Sequence, residues 1–200
     1  MLRVLVFGGS IPAGKGVRRA YVKILEKELK NEGLEVINLA EKETTSFDGV
    51  NLLAPELERW SPWKVVIHYG VDDMYRPVYR SEFKENLVHM CRRAMERKVR
   101  VALATSHTFN HEYENQIAGI YYRAIREVAM DLGCDYIPVH MIWEELMKED
   151  RRKPGTFFIE NGSLLNEKGH RLLAGIMKYH FMKNAETTAE DNHGSNHKGY

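Results

Sequence analysis

Five short apolar runs separated by helix-length connections constrain this chain more than any other feature. They are Arg3–Phe7, Glu35–Leu39, Lys64–His68, Arg100–Ala104 and Asp135–Val139. Between the first two, Val17–Asn31 carries apolar residues at Val17, Ala20, Tyr21, Ile24, Leu25 and Leu29, the spacing of one helical face. Arg80–Arg97 is amphipathic, Glu112–Leu132 reads as a long helix stopped by Gly133, and Asn166–Phe181 reads as a closing helix. Parallel neighbours need a crossover of a dozen or more residues, and these connections supply one each time. The expected fold is therefore a three-layer α/β/α domain around a five-stranded, parallel, doubly wound sheet. Its site belongs outside the carboxyl ends of the strands.

Two hundred residues with 44% hydrophobic content make one domain with a full core, expected to span residues 1–183. From Asn184 to Tyr200 the chain is polar and reads as a disordered tail. Lys and Arg (29) nearly cancel Asp and Glu (28), so no global field draws the protein to nucleic acid or an anionic membrane. No apolar run approaches the ~20 residues that span a bilayer, and Met1-Leu-Arg3 runs directly into the first strand. A soluble, cytoplasmic protein is expected. Cys91 and Cys134 sit alone in apolar helix patterns, which suits buried thiols, and no metal-ligand spacing or cofactor motif accompanies them.

Residues that carry chemistry gather after these strands. Phe7-Gly-Gly-Ser10-Ile-Pro-Ala-Gly14 follows the first and Tyr69-Gly-Val-Asp72-Asp73 the third, while Leu165-Asn-Glu-Lys-Gly-His170 opens the last helix. In that order they resemble the SGNH (GDSL-type) hydrolases, a flavodoxin-like α/β family. There, Gly-Asp-Ser follows the first strand, Gly-x-Asn-Asp follows the third, and the resemblance spans nearly the whole ordered chain. It implies Ser10 as a candidate nucleophile and a cleft lined by Gly9, Ser10, Gly70, Asp72, Asp73, Asn161 and Leu164. It also exposes four departures. The family's first-block aspartate falls at Gly9, its second-block glycine near Glu43, its oxyanion asparagine at Asp72, and its Asp-x-x-His pair at Asn161 and Leu164. A serine hydroxyl is a poor nucleophile without a base, and leucine cannot be one. The expectation is a degenerate member that binds a small ligand or a protein partner through the old cleft.

Two other readings compete. In one, Ser10 remains an esterase or acyl-hydrolase nucleophile, served by a relocated base at His107 or His111, both just after the fourth strand. In the other, Gly9-Ser-Ile-Pro-Ala-Gly-Lys15-Gly16 nearly matches a phosphate-binding loop, with Lys15 as the anion ligand; Gly16 lacks the hydroxyl and Pro12 the amide such a loop uses. Asp72 and Asp73 would ordinarily cap a helix or bind an arginine such as Arg76. Met90, Met95, Met130, Met141 and Met147 are expected to fill the core, as are Tyr121 and Tyr122. Trp60-Ser-Pro-Trp63 either packs beneath a loop or forms a partner surface.

Overall fold

The five expected strands form one sheet. β1 (Leu2–Gly8), β2 (Leu34–Asn38), β3 (Lys64–His68), β4 (Arg100–Ala104) and β5 (Asp135–Ile137) pair in the order β2-β1-β3-β4-β5, every pairing parallel. These coordinates are a computed structural model, which describes residues 1–149, 154–159 and 162–194. Helices α1 (Ser10–Ala13), α2 (Tyr21–Leu29), α3 (Ser46–Trp60), α4 (Val71–Tyr75), α5 (Arg80–Glu96), α6 (Glu112–Leu132), α7 (Val139–Glu149) and α8 (Glu167–Gly194) complete it. α3, α5 and α6 pack in one row, and α2, α8 and α7 in another, so the sheet is enclosed between two helical layers. β3 is buried along its whole length, the signature of a central parallel strand.

Strand order decides where a ligand can sit. The chain moves from β1 outward to β2 and then returns past β1 to β3, so the crossovers diverge between β1 and β3. A crevice opens at such a switch point, at the carboxyl ends of the strands. The segments that leave β1 and β3 there begin with Ser10 and with Gly70 to Asp73.

Several expectations need correction. β5 ends at Ile137 because Pro138 removes a ladder donor, and the chain turns at once into α7. α3 was also not expected. Its start was written in the sequence as a capping box, with the Thr45 amide donating to Asp48 Oδ2 at 2.8 Å, but Pro55 in the interior argues against a helix. Met95, Met130 and Met141 are exposed, whereas Met90 is buried along with Tyr121 and Tyr122. Trp60 and Trp63 pack against the rim of the core, and Trp63 is overlaid by Lys64 and Arg100. The helical backbone of α8 runs to Gly194, and the remainder of the expected tail, 195–200, lies outside the described residues. Among the described residues, no helix is long and apolar enough to cross a membrane.

Candidate active-site cleft

Ser10 stands at the first turn of α1, immediately after β1, and is buried. Its amide donates to Asp72 Oδ2 at 2.6 Å and its hydroxyl donates to Asp72 Oδ1 at 2.6 Å. One carboxylate therefore takes both groups that a hydrolytic serine would turn toward a substrate. Gly9 makes the approach possible, since a Cβ there would overlap Asp72 Oδ2 and sit 2.6 Å from the Thr44 carbonyl. The Glu43 amide donates to Ser10 Oγ at 3.1 Å. Glu43 has φ +63°, a left-handed conformation that favours glycine, at the place where the family's second-block glycine was aligned.

The Glu43 side chain gathers the two cations at the rim. Lys15 Nζ lies 2.8 Å from Oε1 and Arg76 Nη2 3.3 Å from Oε2, while Arg76 Nη1 donates to the Glu43 carbonyl at 2.8 Å. Lys15 first, then Arg76, holds the Glu43 carboxyl below the usual range. Across the cleft, Glu114 near the start of α6 accepts hydrogen bonds from the Tyr75 and Ser163 hydroxyls. Ser10, Asp72, Glu114, Ser163 and Leu164 line one open cleft of about 500 Å³ with this rim. Leu164 lines the same cleft as Ser10.

The candidate bases are elsewhere. His107 is fully buried; Nε2 donates to the Ser163 carbonyl at 3.0 Å, so Nδ1 is the acceptor for the Ser106 hydroxyl, also at 3.0 Å. Burial, above all, drops its pKa to about 3. Both nitrogens are engaged away from Ser10, and His107 supports the Ser163 loop. His111 is the exposed residue preceding α6 and makes no hydrogen bond with Ser10. Asp73, expected in the cleft, is buried behind it, accepting from the Gly70 amide at 2.9 Å and the Ser46 amide at 2.8 Å. It ties the start of α3 to α4, and burial raises its pKa. Gly70 has φ +119°, and a side chain there would face Phe83, Ile125 and Tyr121 in the core. Asn161 lies outside the described residues. The Gly9–Gly16 turn lacks a free amide cradle, because the amides of Ala13, Gly14, Lys15 and Val17 all donate within the turn. Arg76 is engaged by Glu43, not by either aspartate.

Tyr75, Glu114 and Ser163 were not anticipated as site residues. Short-range patterns do not show them, since α4, α6 and the loop before α8 meet only through the tertiary fold. Among the described residues, no group of three His, Cys, Asp or Glu side chains could hold a metal ion.

The model of the GDSL-like Lipase/Acylhydrolase family matches residues 6–172. A comparison with curated proteins finds no match. Among solved structures, the psychrotrophic esterase EstA from Pseudoalteromonas sp., inhibited by monoethylphosphonate, superposes with TM-score 0.78 at 17% identity, over 93% of this chain and 100% of that one. TesA gives 0.73 at 23% identity over 87% and 94%. The lipase/acylhydrolase from Enterococcus faecalis gives 0.72 at 23% over 88% and 93%. At such identities these likenesses concern the fold.

Proposed function

The chain belongs to the GDSL-like lipase/acylhydrolase family, and from that premise we propose that it is a member whose cleft binds without hydrolysing, recognising a small ligand or a protein partner. A cytoplasmic location belongs to the same proposal. The observation that carries it is the Asp72 carboxylate closed onto the Ser10 amide and hydroxyl at 2.6 Å each. Acyl transfer at Ser10 would develop a negative oxygen beside the Ser10 amide, where Asp72 Oδ2 already sits. Two like charges about 4 Å apart at an effective dielectric near 20 repel by roughly 4 kcal/mol, about a thousandfold in rate. Leu164 supports the same reading, because it offers no lone pair to take the serine proton. The structurally similar esterase EstA shares the scaffold, and scaffold alone does not carry chemistry.

The test is a burst-acylation assay with a small activated ester on wild-type protein and Ser10→Ala. Equal, background-level release from both is expected. Turnover by the wild type that disappears in Ser10→Ala would overturn the proposal. Restoring an amide with Asp72→Asn alone should not create activity, since nucleophile, base and oxyanion donors act as a unit.

A further inference from the structure

Charge is unevenly distributed around the cleft. Asp72 and Glu114 line it, and among the described residues neither carboxylate pairs with a cation: Asp72 receives only Ser10, and Glu114 Oε1 only the Tyr75 and Ser163 hydroxyls. Glu114 Oε2 is buried and, among the described residues, has no hydrogen-bond partner. An unsatisfied buried acceptor is unfavourable, and this one leaves the Glu114 carboxylate short of the donors or countercharge that would offset it. Lys15 and Arg76, the cations that could have neutralised the cleft, are instead both held by Glu43 at its rim.

Building on the noncatalytic reading of the cleft, we propose that its ligand carries an organic cation, an alkylammonium or guanidinium group, received between Asp72 and Glu114. The electrostatics that disfavour an ester oxyanion beside Asp72 favour a cation there by the same Coulomb argument. An ammonium also brings several donors, which the remaining lone pairs of Asp72 accept, while the Glu114 charge acts across the cleft. Tyr75, 51% exposed in the cleft wall, offers an aromatic face for cation–π contact. Val71 and Leu164 give an apolar wall for the alkyl portion of the same ligand. At Leu164 a protonated imidazole would repel that ligand; the leucine removes the conflict. Asp72 for an amide and Leu164 for a base therefore change the cleft in one direction, from stabilising a developing anion to accepting a cation.

The experiment titrates the full chain with n-butylammonium chloride at constant ionic strength, followed by calorimetry or backbone amide shifts. Sodium butyrate is the isosteric anion. Saturable butylammonium binding is expected, with butyrate inert. Asp72→Asn and Glu114→Gln should each weaken it about tenfold or more, as loss of a charge-assisted contact requires. Glu43→Gln removes the charge that neutralises Lys15 and Arg76 at the rim and should shift preference toward butyrate. Absence of saturable butylammonium binding, a wild-type preference for butyrate, or undiminished affinity in both natively folded Asp72→Asn and Glu114→Gln overturns the proposal. The two readings fail separately: Ser10-dependent ester turnover overturns the noncatalytic reading and leaves cation binding to its own titration. Missing cation binding without turnover overturns only the ligand class.

Discussion

Gly9 and Asp72 form a matched pair at the residue scale. The carboxylate reaches the Ser10 amide only because Gly9 has no side chain, and the Thr44 carbonyl closes the same space from the other direction. Gly9→Ala should therefore destabilise the protein by about 1–3 kcal/mol through overpacking, measured as a lower urea midpoint with an unchanged slope. Adding Asp72→Asn should not rescue it, since the amide has the carboxylate's shape and Thr44 stays in place. Wild-type stability for Gly9→Ala would mean that the Ser10–Asp72 contact is looser than described. Reinstating the family's first-block aspartate at Gly9 is obstructed for the same reason. The departure at Gly9 was readable in the sequence; its dependence on Asp72, sixty-odd positions away, is a contact that no local pattern encodes.

At the scale of elements, α2 begins without a cap of its own. Ala20 precedes it, and no local side chain satisfies its first amides. α8 supplies the caps instead: His170 Nδ1 accepts the Tyr21 amide at 3.2 Å, and Glu167 Oε1 accepts the Arg18 and Arg19 amides at 3.2 and 3.3 Å. Asn166 caps α8 itself through the Lys168 and Gly169 amides. The Asn166-Glu-Lys-Gly-His170 block is thus a clasp between two helices. His170→Leu keeps the bulk but removes the acceptor, and a loss of about 1–2 kcal/mol in urea unfolding is expected, while Glu167→Gln should change little. A His170→Leu protein as stable as wild type would show that the clasp contributes nothing. α5 and α6 were legible from sequence because one face of each is buried, and the strands because the central ones are buried on both faces and read as short apolar runs. α3 was not, since Pro55 is a residue that usually excludes a helix interior, and the start of α7 was hidden because Asp135–Val139 reads as one apolar strand. The site was legible where it follows a strand directly, at Ser10 and Asp72. It was not at Glu114 and Tyr75, which helix packing brings in. The alternative of His107 as a relocated base could be weighed only in the folded chain, because its burial and its contacts with Ser106 and Ser163 are tertiary properties.

For the whole molecule, three histidines lie together beneath the cleft: His68 at the end of β3, His107 after β4 and His170 in α8. All are buried, and Tyr21 joins two of them, its hydroxyl 2.8 Å from His68 Nδ1 and its amide on His170. Burial is the first cause of each shift, with the neighbouring histidines adding repulsion at His68 and His107, and the pKa values fall to about 3, 3 and 4. In the unfolded chain each would titrate near 6.5. A depressed histidine means that the unfolded state binds protons the folded state refuses. Stability is then full above about pH 6.5 and falls as the pH drops toward the folded values. Near pH 5 the unfolded chain holds about three more protons, a slope of roughly 4 kcal/mol per pH unit. His140, also lowered by burial, steepens it. Carboxylates held low, such as Glu43, add their own loss only at more acidic pH. A total stability of about 5 kcal/mol would then be lost a little above pH 5, and one of about 10 kcal/mol near pH 4. Urea unfolding at half-unit steps from pH 7 to 4.5 measures the proton uptake directly. An uptake of one proton or fewer would show that these histidines charge freely inside the folded protein, and the packing that joins the cleft floor to α8 would have to be looser than the structure describes.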